Sequence, residues 1–138
     1  MIFRVDWPGE DATAVVRGRL TSAYGTGAAT GVSGEGNWIK QADLTSITWK
    51  MFDASSTTPD TAIATGTFTI SSVVIDTPVT STANWTGNSV GYNFLAIMAA
   101  SNFPTGGHQY ELEVTVTTTG GYVQVDTVAG RARAIRGS

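Results

Sequence analysis

The stretch from Tyr110 to Thr117 alternates strictly between apolar and polar residues. An extended strand turns successive side chains to opposite sides, so such a stretch has one apolar face and one polar face. The apolar face holds Tyr110, Leu112, Val114 and Val116, and the polar face holds Glu111, Glu113, Thr115 and Thr117. Gly120-Gly121 and a second β-rich run at 122–126 follow. The pattern therefore predicts a β-hairpin, because paired glycines suit the positive φ angles of a tight turn.

The other apolar segments also favour strands. Residues 12–20 and 46–53 alternate in the same way, and 66–75 suggests one bent strand or two short ones broken near Ser71-Ser72. Residues 91–99 fit either a strand or a helical stripe, and the β-rich flanks favour the strand. We therefore predict an all-β protein of seven or eight strands without a helix, folded as a two-sheet antiparallel sandwich.

Two local features resemble immunoglobulin and fibronectin-type sandwiches. Phe103-Pro104, a turn and the pattern Tyr-x-Leu-x-Val at 110–114 resemble the start of the sixth strand of those domains. The resemblance implies that Tyr110 is a corner tyrosine, which bonds back to upstream backbone, and that Trp49 takes the place of the buried third-strand tryptophan. The expected fold is therefore an immunoglobulin-like sandwich with extended terminal arms.

The length of 138 residues suits a single domain with one core. Within it, residues 1–11 suggest an amino-terminal arm or edge strand, and 21–37 form a Gly-rich loop with few apolar residues. Residues 129–138 form a basic carboxyl-terminal arm. We interpret all three as attachments to one sandwich.

Composition argues against several classes of protein. Cysteine is absent, which excludes disulfides and thiol chemistry. Eight basic residues are outnumbered by eleven acidic ones, so nucleic acid is not an expected partner. No apolar run reaches the roughly 18 residues that a membrane span needs, and the amino terminus lacks the apolar region of a signal peptide. We expect no membrane association and synthesis in a cytoplasm.

Candidate catalytic residues are few. His108 is the single histidine, and no cysteine or second histidine completes a site with it. Glu111 and Glu113 are a possible carboxylate pair, but a solvated strand face explains them better, because paired catalytic acids usually come from different elements. Asp53 and Asp60 lie in a turn without a calcium-loop pattern. We therefore predict no catalytic residue, no cofactor and no metal.

The two ends of the chain suggest a different role. The amino end is too apolar for a free tail, whereas residues 130–136 concentrate three of the eight basic residues. One interpretation is an edge strand followed by a solvated tail. The other is a pair of arms that dock on neighbouring subunits, the arginines pairing with carboxylates of an acidic partner. The predicted partner-binding residues are Ile2, Phe3, Trp7, Arg131, Arg133, Ile135 and Arg136.

Residues 38–128 resemble a group of small proteins found among bacteriophage structural genes. The shared motifs are Ile-Thr-Trp-Lys-Met-Phe-Asp at 47–53, Val-Val-Ile-Asp-Thr at 73–77, Trp85, Gly-Tyr-Asn-Phe at 91–94 and Phe-Pro-Thr-Gly-Gly-His-x-Tyr-x-Leu-Glu at 103–113. Leu95 departs from the charged residue usual in that group. The resemblance implies a virion protein, similar to capsid decoration or cement proteins and made in a bacterial cytoplasm.

Three functions follow as hypotheses. The first is a non-enzymatic decoration protein that binds the major capsid protein or other virion subunits on the capsid exterior and bridges them. It is expected to be a homo-oligomer, for which a trimer suits an icosahedral shell. The second is a tail or adhesion module that binds carbohydrate through Tyr24, Trp38 and Trp85. The third is an enzyme dependent on His108.

Overall fold

The computed structural model describes residues 2–7, 12–21, 38–79 and 91–134. These residues form eight β-strands, one turn of α-helix, α1, at Ile70–Val73, and two short 3-10 turns at Gln41–Asp43 and Ala100–Asn102. The strands are β1 (Ile2–Asp6), β2 (Ala14–Arg19), β3 (Leu44–Asp53), β4 (Ala62–Phe68), β5 (Val74–Val79), β6 (Tyr92–Met98), β7 (Gln109–Thr118) and β8 (Val123–Arg131).

The strands form two four-stranded sheets. Sheet I has the order β1-β2-β6-β5 and sheet II the order β4-β3-β7-β8. Every neighbouring pair is antiparallel. Pairs of consecutive strands lie side by side in one sheet, and the chain then crosses to the other sheet. This is the order of an immunoglobulin-like sandwich in which a fourth strand extends the second sheet, so the predicted fold class is confirmed.

The core lies between the sheets and follows the alternation of the sequence. On β7 every second residue from Tyr110 to Val116 is fully buried. On β3, Ile47 and Met51 are fully buried, and Trp49 on the same face is partly buried against the core. The half-buried pattern seen in the sequence therefore corresponds to one face turned toward the opposite sheet.

Tyr110 has the bonding expected of a corner tyrosine. Its hydroxyl accepts a hydrogen bond from the Thr105 amide at 2.9 Å and donates one to the Thr105 carbonyl at 3.0 Å. The ring stands edge-on to Phe103, with 5.5 Å between the ring centroids. This contact fixes the turn that leads into β7, as the sequence predicted.

Within residues 91–99 the structure has the predicted strand, β6 at Tyr92–Met98, and Asn93 explains part of its position. The Asn93 side chain is fully buried. Its carbonyl oxygen accepts the Leu20 amide at 2.7 Å, while its amide donates to the carbonyls of Leu20 and Ile39 at 3.1 and 2.8 Å. One side chain of β6 thus holds both ends of the connection between β2 and β3.

One prediction about local structure needs correction, namely the absence of a helix. The predicted break near Ser71-Ser72 is confirmed, since it separates β4 from β5, but it contains a turn of α-helix, in which Val74 N–H bonds back to the Ile70 carbonyl. Pro78 lies within strand β5; a proline is tolerated there because β5 is an edge strand. The body of the Gly-rich loop, residues 22–37, lies outside the described residues, as does Trp85.

The amino-terminal residues form an edge strand that completes the core. Phe3 is 4% exposed and contacts Phe94 edge-on, with 5.1 Å between the centroids. Trp7 contacts Phe103 in the same way at 6.0 Å and covers Gly130 of β8 so closely that a Cβ atom there would overlap the indole. Asp126 of β8 accepts the Phe3 amide at 3.2 Å. Of the two interpretations of residues 1–11, the structure shows the edge strand for Ile2–Asp6.

Truncation of Phe3 tests whether β1 belongs to the folded core. We expect Phe3→Ala to lower the free energy of unfolding by about 3–4 kcal/mol, because the change leaves a cavity beside Phe94. Ile97→Ala is the matched control: Ile97 is 71% exposed, so its truncation should change stability by less than about 1 kcal/mol. Urea denaturation measures both. Equal stability of Phe3→Ala and the wild type would show that residues 2–6 are a dispensable arm.

Candidate functional site

His108 lies at one end of the sandwich and is paired with Asp53. The imidazole Nδ1–H donates to a carboxylate oxygen of Asp53 at 2.7 Å. Asp53 is the last residue of β3 and is 6% exposed, whereas the His108 side chain is 34% exposed. The structure thus gives His108 a partner that the sequence pattern did not indicate.

The groups around this pair are engaged in closing a turn. The other Asp53 oxygen accepts the Ser55 amide at 3.0 Å, and the Ser55 hydroxyl accepts the Gln109 amide at 2.8 Å. The Ser56 hydroxyl donates to the Asp53 carbonyl at 2.9 Å. These bonds connect the end of β3 to the start of β7. In this geometry Asp53 and His108 therefore stabilise the junction between β3 and β7.

The outer face of sheet II is a more prominent feature. It consists of the outward residues of β3, β7 and β8, and cross-strand register places them side by side. They are Ser46, Thr48, Lys50, Phe52, Gln109, Glu111, Glu113, Thr115, Thr117, Val123, Val125, Thr127, Ala129 and Arg131. We call this set the sheet II face.

One half of the sheet II face is uncharged and partly apolar. Val123 and Val125 are 54% and 58% exposed, and Tyr122 beside them is 41% exposed. Their neighbours across the ladder are Thr117 and Thr115. Isolated exposed apolar residues are ordinary, but a group of them on one face of a sheet is a feature that protein-contact surfaces share.

The other half carries charge around a shallow depression. The depression has a volume of about 300 Å³ and is lined by Phe52, Pro59, Asp60, Glu111, Glu113 and Thr127. Lys50 lies directly across the ladder from Glu113. Glu111 and Glu113 are thus on an outer strand face, as the sequence predicted, and Asp60 joins them through the turn after β3. No group of three acidic or histidine residues in the described part of the chain is arranged to hold a metal ion.

The predicted partner-binding residues fall into three groups. Phe3 and Trp7 are used within the chain: Phe3 is buried against Phe94, and Trp7 packs between Phe103 and Gly130. Arg131 ends β8 and is exposed, and Arg133 is exposed two residues later. The side chain of Ile2, and residues Ile135 and Arg136 entirely, lie outside the described residues. Docking by this set stays a prediction, and Phe3 has almost no surface left for a partner.

The proposed carbohydrate platform is only partly visible. Tyr24 and Trp85 lie outside the described residues. Trp38 is half-buried, and the Arg19 guanidinium covers one face of its ring at 5.4 Å from the centroid. A sugar ring stacks on an open aromatic face, so one side of Trp38 is already occupied.

The sequence did not reveal the sheet II face as a unit, although its parts were visible. Alternation on 110–117 identified the outward side of β7, but the register with β3 and β8 decides which residues join it. The alternation of Val123 and Val125 with Gln124 and Asp126 was the available signal for the apolar half.

Comparison of the chain with protein-family models, curated proteins and solved structures gives no match. In the described residues, no helix is both long and apolar enough to cross a bilayer.

Because Asp53 and His108 stabilise the junction between β3 and β7, we expect truncation of either side chain to lower the stability of the fold, and truncation of Asp53 to lower it more. Asp53→Ala should lower the free energy of unfolding by about 2 kcal/mol, because it removes a buried carboxylate that accepts hydrogen bonds from both the Ser55 amide and the His108 imidazole. His108→Ala should cost about 1 kcal/mol, since that side chain is partly solvated. Chemical denaturation gives both values. A His108→Ala variant at least as costly as Asp53→Ala would contradict this order.

Proposed function

We propose that the chain is a non-enzymatic structural protein of a virion, of the capsid decoration type, which attaches to other virion subunits through the sheet II face. The observation that carries the proposal is the apolar half of that face, where Val123 and Val125 are more than half exposed on a regular sheet. A sheet whose other side is fully used by the core presents a rigid surface, which lowers the entropic cost of docking.

The virion setting is supported by the resemblance of residues 38–128 to small bacteriophage structural proteins. The chemistry of the described residues fits a binding role, because Asp53 and His108 are engaged with turn backbone and with each other. Arg131 and Arg133 extend the same end of β8 with two exposed positive charges. They are suited to pair with carboxylates at the rim of a contact.

The mechanism is burial of matching surface between rigid bodies. A specific contact typically buries about 800 Å² on each partner. Taking roughly 4.8 Å between strands and 3.3 Å per residue, the three strands of the sheet II face over about nine residues present on the order of 430 Å² in projection, and the outward side of β4 adds about 110 Å². The sheet II face, with β4 and the adjoining turns, thus approaches the area that a stable contact needs. Each such contact joins the chain to one virion subunit, so two contacts bridge two subunits.

A double substitution on the apolar half tests this attachment. Val123→Asp with Val125→Asp should weaken binding to shells assembled from the major capsid protein of the same genome by at least about tenfold, because two carboxylates would be desolvated in the contact. Co-sedimentation with purified shells gives the bound fraction. Binding by the double variant at wild-type strength would contradict attachment through this face.

The matched control adds the same charge elsewhere. Ala42 and Ala99 are both exposed and lie outside the eight strands. Ala42→Asp with Ala99→Asp should bind shells as the wild type does. Equal loss of binding in both double variants would attribute the effect to net charge and would remove the support for the sheet II face.

A further inference from the structure

The edge strands of the two sheets differ in how well each is protected against pairing with another chain. Within the described residues the edges are β1 and β5 in sheet I and β4 and β8 in sheet II. An edge strand presents unpaired backbone N–H and C=O groups, and proteins protect such edges with charged residues, with proline or with a neighbouring element. An edge without this protection is open to a further strand.

Three of the edges carry protecting features. β1 has two charged residues, Arg4 and Asp6. β5 contains Pro78, which has no amide hydrogen to donate. β8 lies next to β1, and its Asp126 accepts the Phe3 amide at 3.2 Å. These three edges are therefore poor templates for a further strand.

The fourth edge, β4, lacks these features. Its sequence from Ala62 to Phe68, Ala-Ile-Ala-Thr-Gly-Thr-Phe, contains no charged residue and no proline. In the described part of the chain β4 pairs only with β3. That pairing is regular from Ala64 to Phe68, because the register shift lies at the amino-terminal end of β4. Ile63 on the outer side is 43% exposed. β4 is therefore an uncharged edge whose other side can accept a strand.

The residues of β4 suit pairing with a second copy of the same strand. In an antiparallel pair about a two-fold axis at Gly66, Thr65 of one copy lies opposite Thr67 of the other. Directly opposed threonines stabilise a sheet through their hydroxyl groups. Ala64 lies opposite Phe68 in this register, so a small side chain meets a large one. No like charges meet in any register, because the strand has no charge.

Such a pair would join two copies of sheet II into one continuous sheet of eight strands. A two-fold axis that relates antiparallel neighbours in a sheet is perpendicular to that sheet. The sheet II faces of both copies would therefore point to the same side. A single chain has one such face, whereas a pair has two and can hold two virion subunits at once. This favours a second copy over an unrelated protein as the occupant of the edge.

We propose that two copies of this chain associate through antiparallel pairing of their β4 edges. The contact uses the edge of sheet II and leaves the sheet II face free for virion subunits. Only its consequence for bridging rests on the proposed function. The same surface is used on both copies, so the contact is isologous and closes at two chains.

The pairing is weak in free solution. The seven residues of β4 form an edge of about 23 Å. One sheet edge buries less than the roughly 1,200 Å² of a standard interface, so it belongs to the class of transient contacts, for which we expect a dissociation constant on the order of 0.1 mM. Chains bound at neighbouring sites of a shell meet at an effective concentration far above that of free solution, so a weak contact is sufficient there.

Two acidic residues on the edge test the pairing in the isolated, full-length chain. Thr65→Glu with Thr67→Glu should weaken dimerisation at least about tenfold, because carboxylates would then lie directly opposite each other. Within the chain Thr65 lies across from Lys50, so this change also favours the pairing of β4 with β3. Sedimentation equilibrium from well below to well above the expected dissociation constant measures dimerisation.

The matched control adds the same charge outside the strands. Thr57 and Thr105 are both exposed and lie in turns. Thr57→Glu with Thr105→Glu should dimerise as the wild type does, at the same net charge as the edge variant. Equal weakening in both double variants would overturn the inference, because net charge would then explain the loss.

Amide hydrogen exchange of the wild type locates the contact without any substitution. Exchange in Ala62–Phe68 should slow severalfold between dilute and concentrated protein, because alternate amides of β4 then donate to the second copy. Exchange in Val74–Val79, the edge strand of the other sheet, should stay the same. Protection of β5 or β8 in place of β4 would overturn the inference.

Shell binding separates this inference from the proposed function. A wild type that is monomeric at ten times the expected dissociation constant would overturn the pairing. Shell binding that is then still lost on Val123→Asp with Val125→Asp would leave the proposed function standing. Dimerisation that is lost on Thr65→Glu with Thr67→Glu, in a protein without any binding to shells, would support the pairing and overturn the virion attachment.

Discussion

Aromatic contacts between the two sheets hold this molecule together. Phe94 of sheet I contacts Phe68 of sheet II edge-on, with 5.4 Å between the centroids, and also contacts Phe3 edge-on. At the opposite end Trp7 contacts Phe103, which in turn contacts Tyr110. Each sheet uses its inner face for these contacts. The outer faces of the two sheets are therefore the sheet surfaces that can contact other molecules.

The need to fill the interior between the two sheets also explains why the amino-terminal end is not a free arm. Residues Phe3 and Trp7 are needed to finish the apolar interior at the edge where β1 approaches β8. A chain of this length buries about two thirds of its surface, and few large apolar residues are left over. The apolar amino end that suggested docking is thus explained by the core, and the candidate docking surface moves to the exposed valines of β8.

Local patterns were sufficient to predict most of the strands. Alternation identified β3 and β7, and the motif around Tyr110 predicted the corner bond to Thr105. The helical turn at Ile70–Val73 escaped notice because four residues are too short for a helical period to be visible. The fold class followed from local signals because an antiparallel sandwich is built mainly from hairpins.

The candidate surfaces depend on pairing between strands that are far apart in the sequence. Local sequence patterns therefore could not predict them. Asp53 and His108 are 55 residues apart, and only the β3–β7 pairing brings them together. Thr115 meets Val125 because of the β7–β8 register, and a shift of one residue would send one of them inward. Single residues of these groups were visible in the sequence, whereas their arrangement is a property of the folded sheets.

Footprinting of the assembled protein tests the central claim most directly, namely that the sheet II face is the surface used in assembly. Hydroxyl radicals label exposed Tyr122, Val123 and Val125, and carbodiimide labels Glu111 and Glu113, so both halves of the face are covered. The account predicts that labelling of these residues falls severalfold between the dilute free chain and the assembled state, while Pro104 and Ser101 at the end of the sandwich keep theirs. Unchanged labelling of the sheet II face in the assembly, with protection elsewhere, would contradict it.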